Sequence, residues 1–457
     1  MIRLFNHYLP LRILLLSAIE AMVLFQAMVL GFEIRLLDQA LPLPLVEAGV
    51  FTGVMLLMMT GLGLYESQNE PFRVMLQRLV VAYGLALAVM SVLFYLFPAI
   101  YVGRGVFALT SVFAVAGVVL IRLIFFRVTD VGLPKRRVLI VGNGHEAEDV
   151  IRFLNEGTRG KVIEYAGLYP LAADRDTTEQ ERAAARLQLQ RTVADLRVSE
   201  IVVALRERRG GVMPLRELLD CKLRGVKVMD LVSFYEREKG LLKVDNLRAS
   251  WLIFGSGFDQ GVTRDVVKRV FDVAVSLILL VVTLPILVLA MVAILIETGR
   301  PIFYRQERVG QGGKPFTIYK LRSMTQDAEK DGKPRWAGAN DARVTAVGRF
   351  LRRSRIDELP QLYNVLRGDM SFVGPRPERP FFVNQLLEDI PYYDIRHSVK
   401  PGITGWSQVR YPYGASVEDA LGKLQYDLYY VKNHSLFLDL LILVDTVQVV
   451  LLGKGAR

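Results

Sequence analysis

Residues 277–296 read LILLVVTLPILVLAMVAILI, an uncharged apolar stretch of twenty residues with Pro285 near its centre. A helix of this length can cross a bilayer. Basic residues flank it on both sides, with Arg264, Lys268 and Arg269 before it and Arg300, Arg305 and Arg308 after it. Lysine and arginine favour the cytoplasmic side of a membrane, and proline interrupts helical hydrogen bonding. We therefore predict a re-entrant helix over about residues 268–297 that breaks at Pro285 and leaves the membrane on the side it entered.

Four further apolar stretches precede this segment, at residues 13–32, 45–65, 79–97 and 106–126. Residues 1–126 contain seven arginines, six acidic residues and no lysine, which is a membrane-like composition. We predict a four-helix transmembrane domain over residues 1–130, in which Glu20 and Gln26 face neighbouring helices. Basic residues lie before the first stretch, between the second and third, and after the fourth. The N-terminus and the chain after the fourth stretch are therefore predicted to be cytoplasmic.

Alternating strand and helix patterns follow, over residues 131–255. A strand at 137–141 leads into Gly142-Asn-Gly144-His-Glu-Ala147 and a helix at 148–154. Further strand patterns lie at 165–168, 200–205 and 226–229, with a helix near 213–223. This alternation predicts a Rossmann-like α/β domain. The glycine turn resembles a dinucleotide-binding turn, but Tyr169-Pro170 stands where a ribose-binding acid is expected. A purely structural turn and a ligand site both remain open.

An alternative enzyme class depends on this α/β region. Tyr235 and Lys239 have the spacing of the Tyr/Lys pair of short-chain dehydrogenases and dehydratases. The alternative function is a membrane-bound, NAD-dependent sugar-nucleotide dehydratase, which also requires the missing ribose-binding acid.

Composition and loop length argue against other classes. With 52% hydrophobic residues, the chain is not generally disordered. Cys221 is its single cysteine, which excludes an intramolecular disulfide and a cysteine-cluster metal site. A non-enzymatic membrane scaffold is expected to carry long outer loops, whereas the loops predicted here are short.

The net charge of +11 is concentrated in residues 263–410, which contain 23 basic and 15 acidic residues. Its arginine clusters alternate with glycine and proline turns, a pattern that suits phosphate binding. No base-stacking platform or recognition helix is evident in the sequence. We therefore predict a soluble nucleotide and a lipid phosphate as partners, and no nucleic acid.

Two adjacent carboxylates, Asp357 and Glu358, follow four arginines of this basic region. The arginines are expected to lower both pKa values and to keep both carboxylates ionised. An ionised aspartate can attack phosphorus as a nucleophile, and a second carboxylate can hold Mg²⁺. A surface pair that arginine merely neutralises is the alternative interpretation.

The surrounding sequence resembles the bacterial sugar transferase family, the monotopic polyprenyl-phosphate phosphoglycosyl transferases. The resemblance covers residues 263 to about 452. It rests on four motifs, which are Gln306-Glu-Arg308-Val-Gly310, Phe316-x-Ile-Tyr-Lys320-Leu-Arg322-Ser-Met, Asp357-Glu358-Leu-Pro-Gln-Leu-Tyr-Asn followed by Gly374-Pro-Arg376-Pro, and Lys400-Pro-Gly-Ile-Thr-Gly-Trp406-Ser-Gln. The four-span front and the α/β middle look like the large family members that start capsule, O-antigen or exopolysaccharide synthesis.

The resemblance implies a two-step transfer. Asp357 would attack the β-phosphate of a UDP-sugar and release UMP, and undecaprenyl phosphate would then accept the phosphosugar. Glu358 would act with Asp357 and ligate Mg²⁺. The substrate-binding residues implied are Lys320, Arg322, Arg352, Arg376 and Asp427. The resemblance also implies membrane lipids and a second copy of the chain, in a homodimer, as partners. The expected location is the bacterial inner membrane, with the catalytic domain on the cytoplasmic face.

The predicted fold is therefore a membrane protein of mixed α and α/β class. It combines the four-helix transmembrane bundle, the Rossmann-like domain over residues 131–255, and a mostly helical catalytic domain over residues 256–457 that carries the re-entrant helix. Residues 436–452 are apolar and are predicted to lie in the interface or pack on this domain.

Two departures from the family pattern matter. Leu284-Pro285 replaces the Ser-Pro pair found at the helix break of small members. After Gln408, Val-Arg410-Tyr-Pro-Tyr-Gly414 replaces the Asn-Gly-Arg stretch of many relatives, so the identity of the sugar cannot be carried over.

Overall fold

The structure, a computed structural model, describes residues 2–4, 7–36, 42–65, 72–132, 135–155, 163–171, 179–205, 214–258, 261–325, 343–412, 414 and 416–452. The chain forms two compact units. The first is Leu9–Glu238, and the second combines Ile2–Tyr8 with Lys239–Arg457. The three-domain division made from the sequence stays a prediction.

The N-terminal strands β1 (Ile2–Leu4) and β2 (His7–Leu9) pair with each other. Four helices follow, α1 (Leu11–Arg35), α2 (Leu45–Gly61), α3 (Phe72–Leu96) and α4 (Arg104–Gly132). By length and apolar composition α1, α3 and residues 104–125 of α4 can cross a membrane, whereas α2 has 17 residues. The predicted second span at 45–65 is thus too long, because residues 62–65 form a turn.

The bundle of α1–α4 contains a buried ion pair. Arg122 donates from Nε to Oε1 of Glu20 at 2.6 Å and from Nη1 to the carbonyl of Leu64 at 3.1 Å. The Tyr65 hydroxyl donates to Oε2 of the same Glu20 at 2.5 Å. Glu20 therefore faces neighbouring helices, as predicted. The same prediction is wrong for Gln26, which lies on the exposed surface of α1.

The first unit continues as an α/β layer. Its elements are β3 (Arg136–Gly142), α5 (His145–Asn155), β4 (Ile163–Tyr169), α6 (Glu179–Asp195), β5 (Glu200–Ala204), α7 (Leu215–Leu223), β6 (Lys227–Asp230) and α8 (Leu231–Lys239). The strands form a parallel sheet in the order β4-β3-β5-β6. Buried apolar runs, such as residues 138–141, are typical of parallel strands covered on both faces. The predicted helix start near Met213 lies outside the described residues.

The second unit is mostly helical. Its elements are α9 (Ala249–Phe254), α10 (Val262–Thr298), β7 (Phe303–Val309), β8 (Pro315–Leu321), α11 (Ala346–Arg353), α12 (Gln361–Arg367), β9 (Ser371–Val373), α13 (Pro380–Asp389), β10 (Gly402–Thr404), α14 (Trp406–Arg410), α15 (Val417–Asn433) and α16 (Leu436–Leu452). Strands β7 and β8 form an antiparallel hairpin, and β9 pairs with β10 in parallel.

Helix α10 contains the apolar segment with Pro285. It runs for 37 residues and is continuous across Pro285, so the predicted break does not divide it into two helices. The Thr283 hydroxyl donates to the Leu279 carbonyl at 2.6 Å. It therefore does not satisfy the carbonyl of Val281, two residues further on, which Pro285 leaves without its usual amide donor. One face of α10 is exposed, with Val282 and Ile296 at 65% and 82%. The helix is long and apolar enough to enter a membrane.

The other face of α10 packs on the rest of the second unit. Leu287, Ala290 and Ile294 bury against Leu321 of β8 and Leu351 of α11. Helix α16 also packs on this unit, since Leu438 and Ile442 are fully buried. Its Asp439 accepts hydrogen bonds from Lys268 at 2.7 Å and from Tyr430 at 2.8 Å.

Candidate active site

Asp357 and Glu358 lie in a tight turn between α11 and α12. Arg355, just before the turn, has φ 59°, and residues 356–358 then form one turn of 3₁₀-helix. A left-handed residue reverses the chain sharply at the end of a helix. Both carboxylates are buried, with residue exposures of 7% and 8%. Burial sets this pair apart from a solvated surface Asp-Glu dipeptide.

Glu358 is held by two cations. Its Oε1 accepts hydrogen bonds from Lys320 Nζ at 2.9 Å and from an Arg376 Nη2 at 2.7 Å, and the nearest Arg355 nitrogen lies at 4.0 Å. Burial alone raises the pKa of a carboxyl group, but Arg376, Lys320 and Arg355 outweigh it and hold the pKa of Glu358 well below its usual value. Glu358 is therefore ionised.

The pKa of Asp357 is shifted in the opposite direction to that of Glu358. Its Oδ1 is buried and has no hydrogen-bond partner among the described residues. Burial and the charge of Glu358 raise the pKa of Asp357 to about 6, against the opposing effect of Lys320, Arg355 and Arg352. The prediction that arginines lower both carboxyl pKa values is thus wrong for Asp357. A pKa of about 6 still leaves the group mostly ionised at neutral pH. Because its Oδ1 is buried and has no donor among the described residues, this carboxylate is suited to nucleophilic attack.

Lys320 reaches the turn from strand β8. Asn364 of α12 fixes this strand to the segment after the turn. Its amide nitrogen donates to the Thr317 carbonyl at 2.7 Å, and its amide oxygen accepts from the Tyr319 backbone at 3.1 Å. Asn364 is fully buried. Asn364 lies within one of the four motifs, but the sequence pattern did not indicate a role for it. Burial lowers the pKa of Lys320, while Glu358 raises it.

Arg396 bonds to the backbone of Arg376. Arg396 donates to the Arg376 carbonyl at 2.9 Å and to Oδ2 of Asp427 at 2.8 and 3.1 Å. Burial raises the pKa of Asp427, and Arg396 opposes that effect. Asp427 therefore lies in the layer behind Arg376, linked to it through Arg396. Arg396 was not predicted to be a functional residue. The nearby apolar and aromatic residues, Ile395 and Tyr393, were the one sequence feature that indicated a buried cation.

The two other predicted substrate-binding arginines are placed differently from Lys320 and Arg376. Arg322 is buried, and one of its nitrogens donates to Thr298 and, at 2.6 Å, to the carbonyl of Gly299 at the end of α10. Its Nε and Nη1 have no partner among the described residues. Arg352, in the last turn of α11, is half-buried and is one of the charges that act on Asp357. Five residues were predicted to bind substrate. Among the described residues, two of these five, Lys320 and Arg376, bond directly to Glu358.

The site offers two carboxylates, those of Glu358 and Asp357, as candidate ligands for a divalent cation. The described residues contain no group of three or more His, Cys, Asp or Glu side chains that could hold a metal. Mg²⁺ needs fewer protein ligands, since it commonly uses one or two carboxylates with water and substrate phosphates. The unpartnered Oδ1 of Asp357 beside Glu358 fits that requirement.

The glycine turn of the α/β layer has a structural explanation. A Cβ on Gly142 would lie 2.1 Å from the carbonyl oxygen of Ala204, so the close approach of β3 to β5 requires glycine. The Asn143 side chain bonds both backbone groups of Leu171. The first turn of α5 carries Glu146 and Glu148, and these carboxylates disfavour a phosphate at that helix N-terminus.

Tyr235, the residue that the dehydratase alternative needs in an active site, is buried. Its ring packs against Phe153 and Phe234, with centroid distances of 5.6 and 5.7 Å. This aromatic packing and the glycine turn give the dehydratase alternative no support.

A buried aspartate with one unpartnered oxygen, a glutamate bonded to two cations and a helix of membrane length together favour a membrane-associated enzyme for phosphate-bearing substrates. Comparison with known proteins agrees. The family model described as "Bacterial sugar transferase" matches residues 263–453. A UDP-glucose:undecaprenyl-phosphate glucose-1-phosphate transferase of Xanthomonas campestris pv. campestris is 33% identical over 342 residues, which are 71% of this chain and 68% of that protein. The chain belongs to the bacterial sugar transferase family.

Two further relatives differ in the sugar that they are named for. A UDP-N-acetylgalactosamine-undecaprenyl-phosphate N-acetylgalactosaminephosphotransferase of Aeromonas hydrophila is 42% identical over 242 residues, or 53% of this chain and 56% of that protein. A UDP-glucose:undecaprenyl-phosphate glucose-1-phosphate transferase of Caulobacter vibrioides is 44% identical over 198 residues, or 43% of this chain and 73% of that protein. With the Aeromonas protein, this chain aligns over little more than half of that protein's length.

Proposed function

We propose that this protein transfers a sugar 1-phosphate from a UDP-sugar to undecaprenyl phosphate, through a phosphosugar bound covalently to Asp357. The product would be a diphosphate-linked lipid that starts the synthesis of a surface polysaccharide or glycoconjugate. The names of the relatives support the donor and acceptor classes. They include both UDP-glucose and UDP-N-acetylgalactosamine, so they leave the sugar open.

The unpartnered Oδ1 of Asp357 carries the proposal. Lys320 and Arg376 both bond to Glu358, and the buried Oδ1 of the neighbouring Asp357 has no donor among the described residues. A nucleophile needs an available electron pair, and a carboxylate that is not hydrogen-bonded is the more reactive one. Its pKa of about 6 keeps it largely ionised at neutral pH.

In the first step, a carboxylate oxygen of Asp357 attacks the β-phosphorus of the UDP-sugar. A bond forms between that oxygen and phosphorus, and the bond from the β-phosphorus to the bridging oxygen breaks. The electron pair leaves with UMP, and an acyl phosphate that carries the sugar remains on Asp357. Lys320 and Arg376 line the turn and are positioned to donate hydrogen bonds to phosphate oxygens as charge moves to the leaving group.

In the second step, a phosphate oxygen of undecaprenyl phosphate attacks the same phosphorus. The bond between phosphorus and Asp357 breaks, and the carboxylate is regenerated with its electron pair. Glu358 would hold Mg²⁺, which offsets phosphate charge when it is bound. Covalent storage lets the soluble nucleotide leave before the lipid enters, so one turn can serve both substrates.

The proposal includes the membrane arrangement. Helix α10 would enter and leave the inner membrane from the cytoplasmic side, with the axis bent at Pro285. Its exposed apolar face and the basic residues at both ends support this arrangement. The catalytic turn would then lie at the cytoplasmic surface, where UDP-sugars are available. A homodimer, the form that the family resemblance implies, stays part of the proposal.

The experiment is donor screening with the full-length protein in lipid nanodiscs. The protein is incubated with undecaprenyl phosphate, Mg²⁺ and one UDP-sugar at a time, and UMP release is measured. One donor, or a small group of related donors, should give UMP and a glycan-linked lipid diphosphate. Release of UDP in place of UMP, or no turnover with any UDP-sugar, would refute the proposed reaction.

A further inference from the structure

The last turn of α10 is bonded to both elements that carry the candidate catalytic groups. Glu297 accepts hydrogen bonds from the backbone amides of Ala346 and Val347, at 2.9 and 3.1 Å, in the first turn of α11. Thr298 and Gly299, the next two residues, accept hydrogen bonds from Arg322, which directly follows β8. One helical turn therefore connects to the start of α11 and to the end of β8.

These two connections lead to opposite sides of the site. Helix α11 ends at Arg353, and the turn with Asp357 follows within four residues. Strand β8 carries Lys320, whose ammonium group bonds Glu358 at 2.9 Å. The separation of Asp357 from Lys320 thus depends on where the end of α10 holds each element.

We propose that Glu297 is a positioning residue for the transfer reaction, which holds α11 so that the Asp357 turn keeps its place against Lys320. This inference rests on the proposed function.

The electrostatics of Glu297 favour such a role. A carboxylate in the last turn of a helix faces the negative end of the helix dipole, which is unfavourable in isolation. The first turn of α11 offers the opposite environment, because its amides have no partners within the helix. Thr345 satisfies the Gly348 amide at 2.9 Å, and Glu297 satisfies the two amides before it. The position of Glu297 is therefore explained by α11 and not by its own helix.

Packing makes the connection stiff. Leu351 of α11 and Leu321 of β8 bury together against α10. Gly348 allows a close contact, since a Cβ there would lie 2.0 Å from the Ser323 carbonyl oxygen. With little free space between these elements, a shift at the first turn of α11 is transmitted to its last turn. Misplacement by about 1 Å at a distance can lower a rate by about a hundredfold.

The test compares Glu297→Ala with Glu297→Gln in the full-length protein in nanodiscs. The alanine variant loses the acceptor for both amides, whereas the glutamine variant keeps a side-chain oxygen in the same place. Glu388→Ala, an exposed glutamate of α13, is the matched control. Rates are normalised to the burst of UMP released without acceptor, which counts active sites. Glu297→Ala should lower kcat about tenfold or more with KM for the UDP-sugar unchanged within about twofold.

The glutamine variant separates positioning from a merely structural role. Glu297→Gln should restore most of kcat, because its side-chain oxygen can accept from the same two amides. A loss of folded protein alone would reduce the burst and leave kcat per site unchanged, which would overturn the proposal. Equal impairment of the glutamine and alanine variants would also overturn it.

If Glu297→Ala does not accumulate, Glu297→Asp tests the same contact, because it keeps the charge and shortens the side chain by one methylene. That variant should also show a lower kcat with an unchanged KM, and a wild-type kcat would count against the proposal. A UMP burst in the wild type and in Glu388→Ala establishes the reaction itself. Failure of these two would concern the proposed function, whereas failure confined to the Glu297 comparison would concern this inference alone.

Discussion

The pH dependence of the reaction follows from the charge state of Asp357. The nucleophile must be ionised, and burial together with Glu358 raises the pKa of Asp357 to about 6. Because the pKa is that of an acid, activity is present above it and is lost as the pH falls through it. The acid limb of kcat/KM, which reports groups of the free enzyme, is therefore expected at about pH 6 and not near the ordinary aspartate value.

Replacement of Arg355 by asparagine tests this explanation. Arg355 lowers the pKa of Asp357, and asparagine tolerates the left-handed backbone at this position. An opposite charge within a few ångströms lowers a carboxyl pKa by about 1–3 units. The Arg355 side chain is 43% exposed, so solvent screening reduces its effect to about one unit at most. The acid limb should then move up to about pH 7. At pH 6 kcat/KM should fall about fivefold, and at pH 8 it should change by about a tenth.

The assay is UMP release at low donor concentration between pH 5 and 8.5. The matched control is Arg353→Gln, which removes an exposed arginine that is not among the charges acting on Asp357. This control should leave the limb where it is. A wild-type limb near pH 4, or equal shifts for the two variants, would refute the electrostatic account of the site.

Two stability predictions concern buried polar groups. Asn364→Leu leaves the Tyr319 amide and the Thr317 carbonyl without partners and should lower the free energy of unfolding by about 3 kcal/mol. Tryptophan fluorescence in urea measures it, because all three tryptophans lie within residues 239–457; an unchanged midpoint would contradict it. Arg122→Leu leaves Glu20 buried without its cation and should cost about 3–5 kcal/mol. Adding Glu20→Leu should recover most of the folded protein extracted from membranes, and a double variant less stable than the single one would count against this explanation.

Much of the membrane fold was predictable because lipid imposes a simple rule on composition. Long uncharged stretches can only be helices there, and three of the four predicted spans have the required length. The end of α2 was not predictable. Residues 62–65 leave the helix, and Leu64 and Tyr65 then join the buried pair of Glu20 and Arg122. Arg122 lies 58 residues away from Leu64 in the sequence, so no local pattern predicts their contact.

The site was predictable as a set of residue types but not as an arrangement. The motifs predicted that Lys320, Arg376 and Glu358 belong together, and the structure brings them into contact. The pKa direction of Asp357 was wrong because sequence proximity does not reveal which carboxylate each cation faces. Arg376 and Lys320 both bond to Glu358, so Asp357 is left with burial and a like charge as the dominant effects.

Residues that act through backbone contacts were the hardest to find. Arg322 was predicted to bind substrate, yet its observed hydrogen bonds go to the end of α10. Arg396 and Glu297 were not predicted to be functional residues. The partner of Arg396 is a carboxylate distant in sequence, and the partners of Glu297 are two helix amides. Such partners depend on tertiary packing, which a single sequence does not specify.

The central claim, that Asp357 becomes covalently bound to a phosphosugar, is tested most directly by intact-protein mass spectrometry. The full-length protein is incubated with its UDP-sugar and Mg²⁺ in the absence of undecaprenyl phosphate. The wild-type mass should increase by one sugar phosphate, the increase should disappear when undecaprenyl phosphate is added, and Asp357→Asn should show no increase. An unmodified wild-type protein that still releases UMP only with acceptor present, or an adduct that forms on Asp357→Asn, would contradict the account.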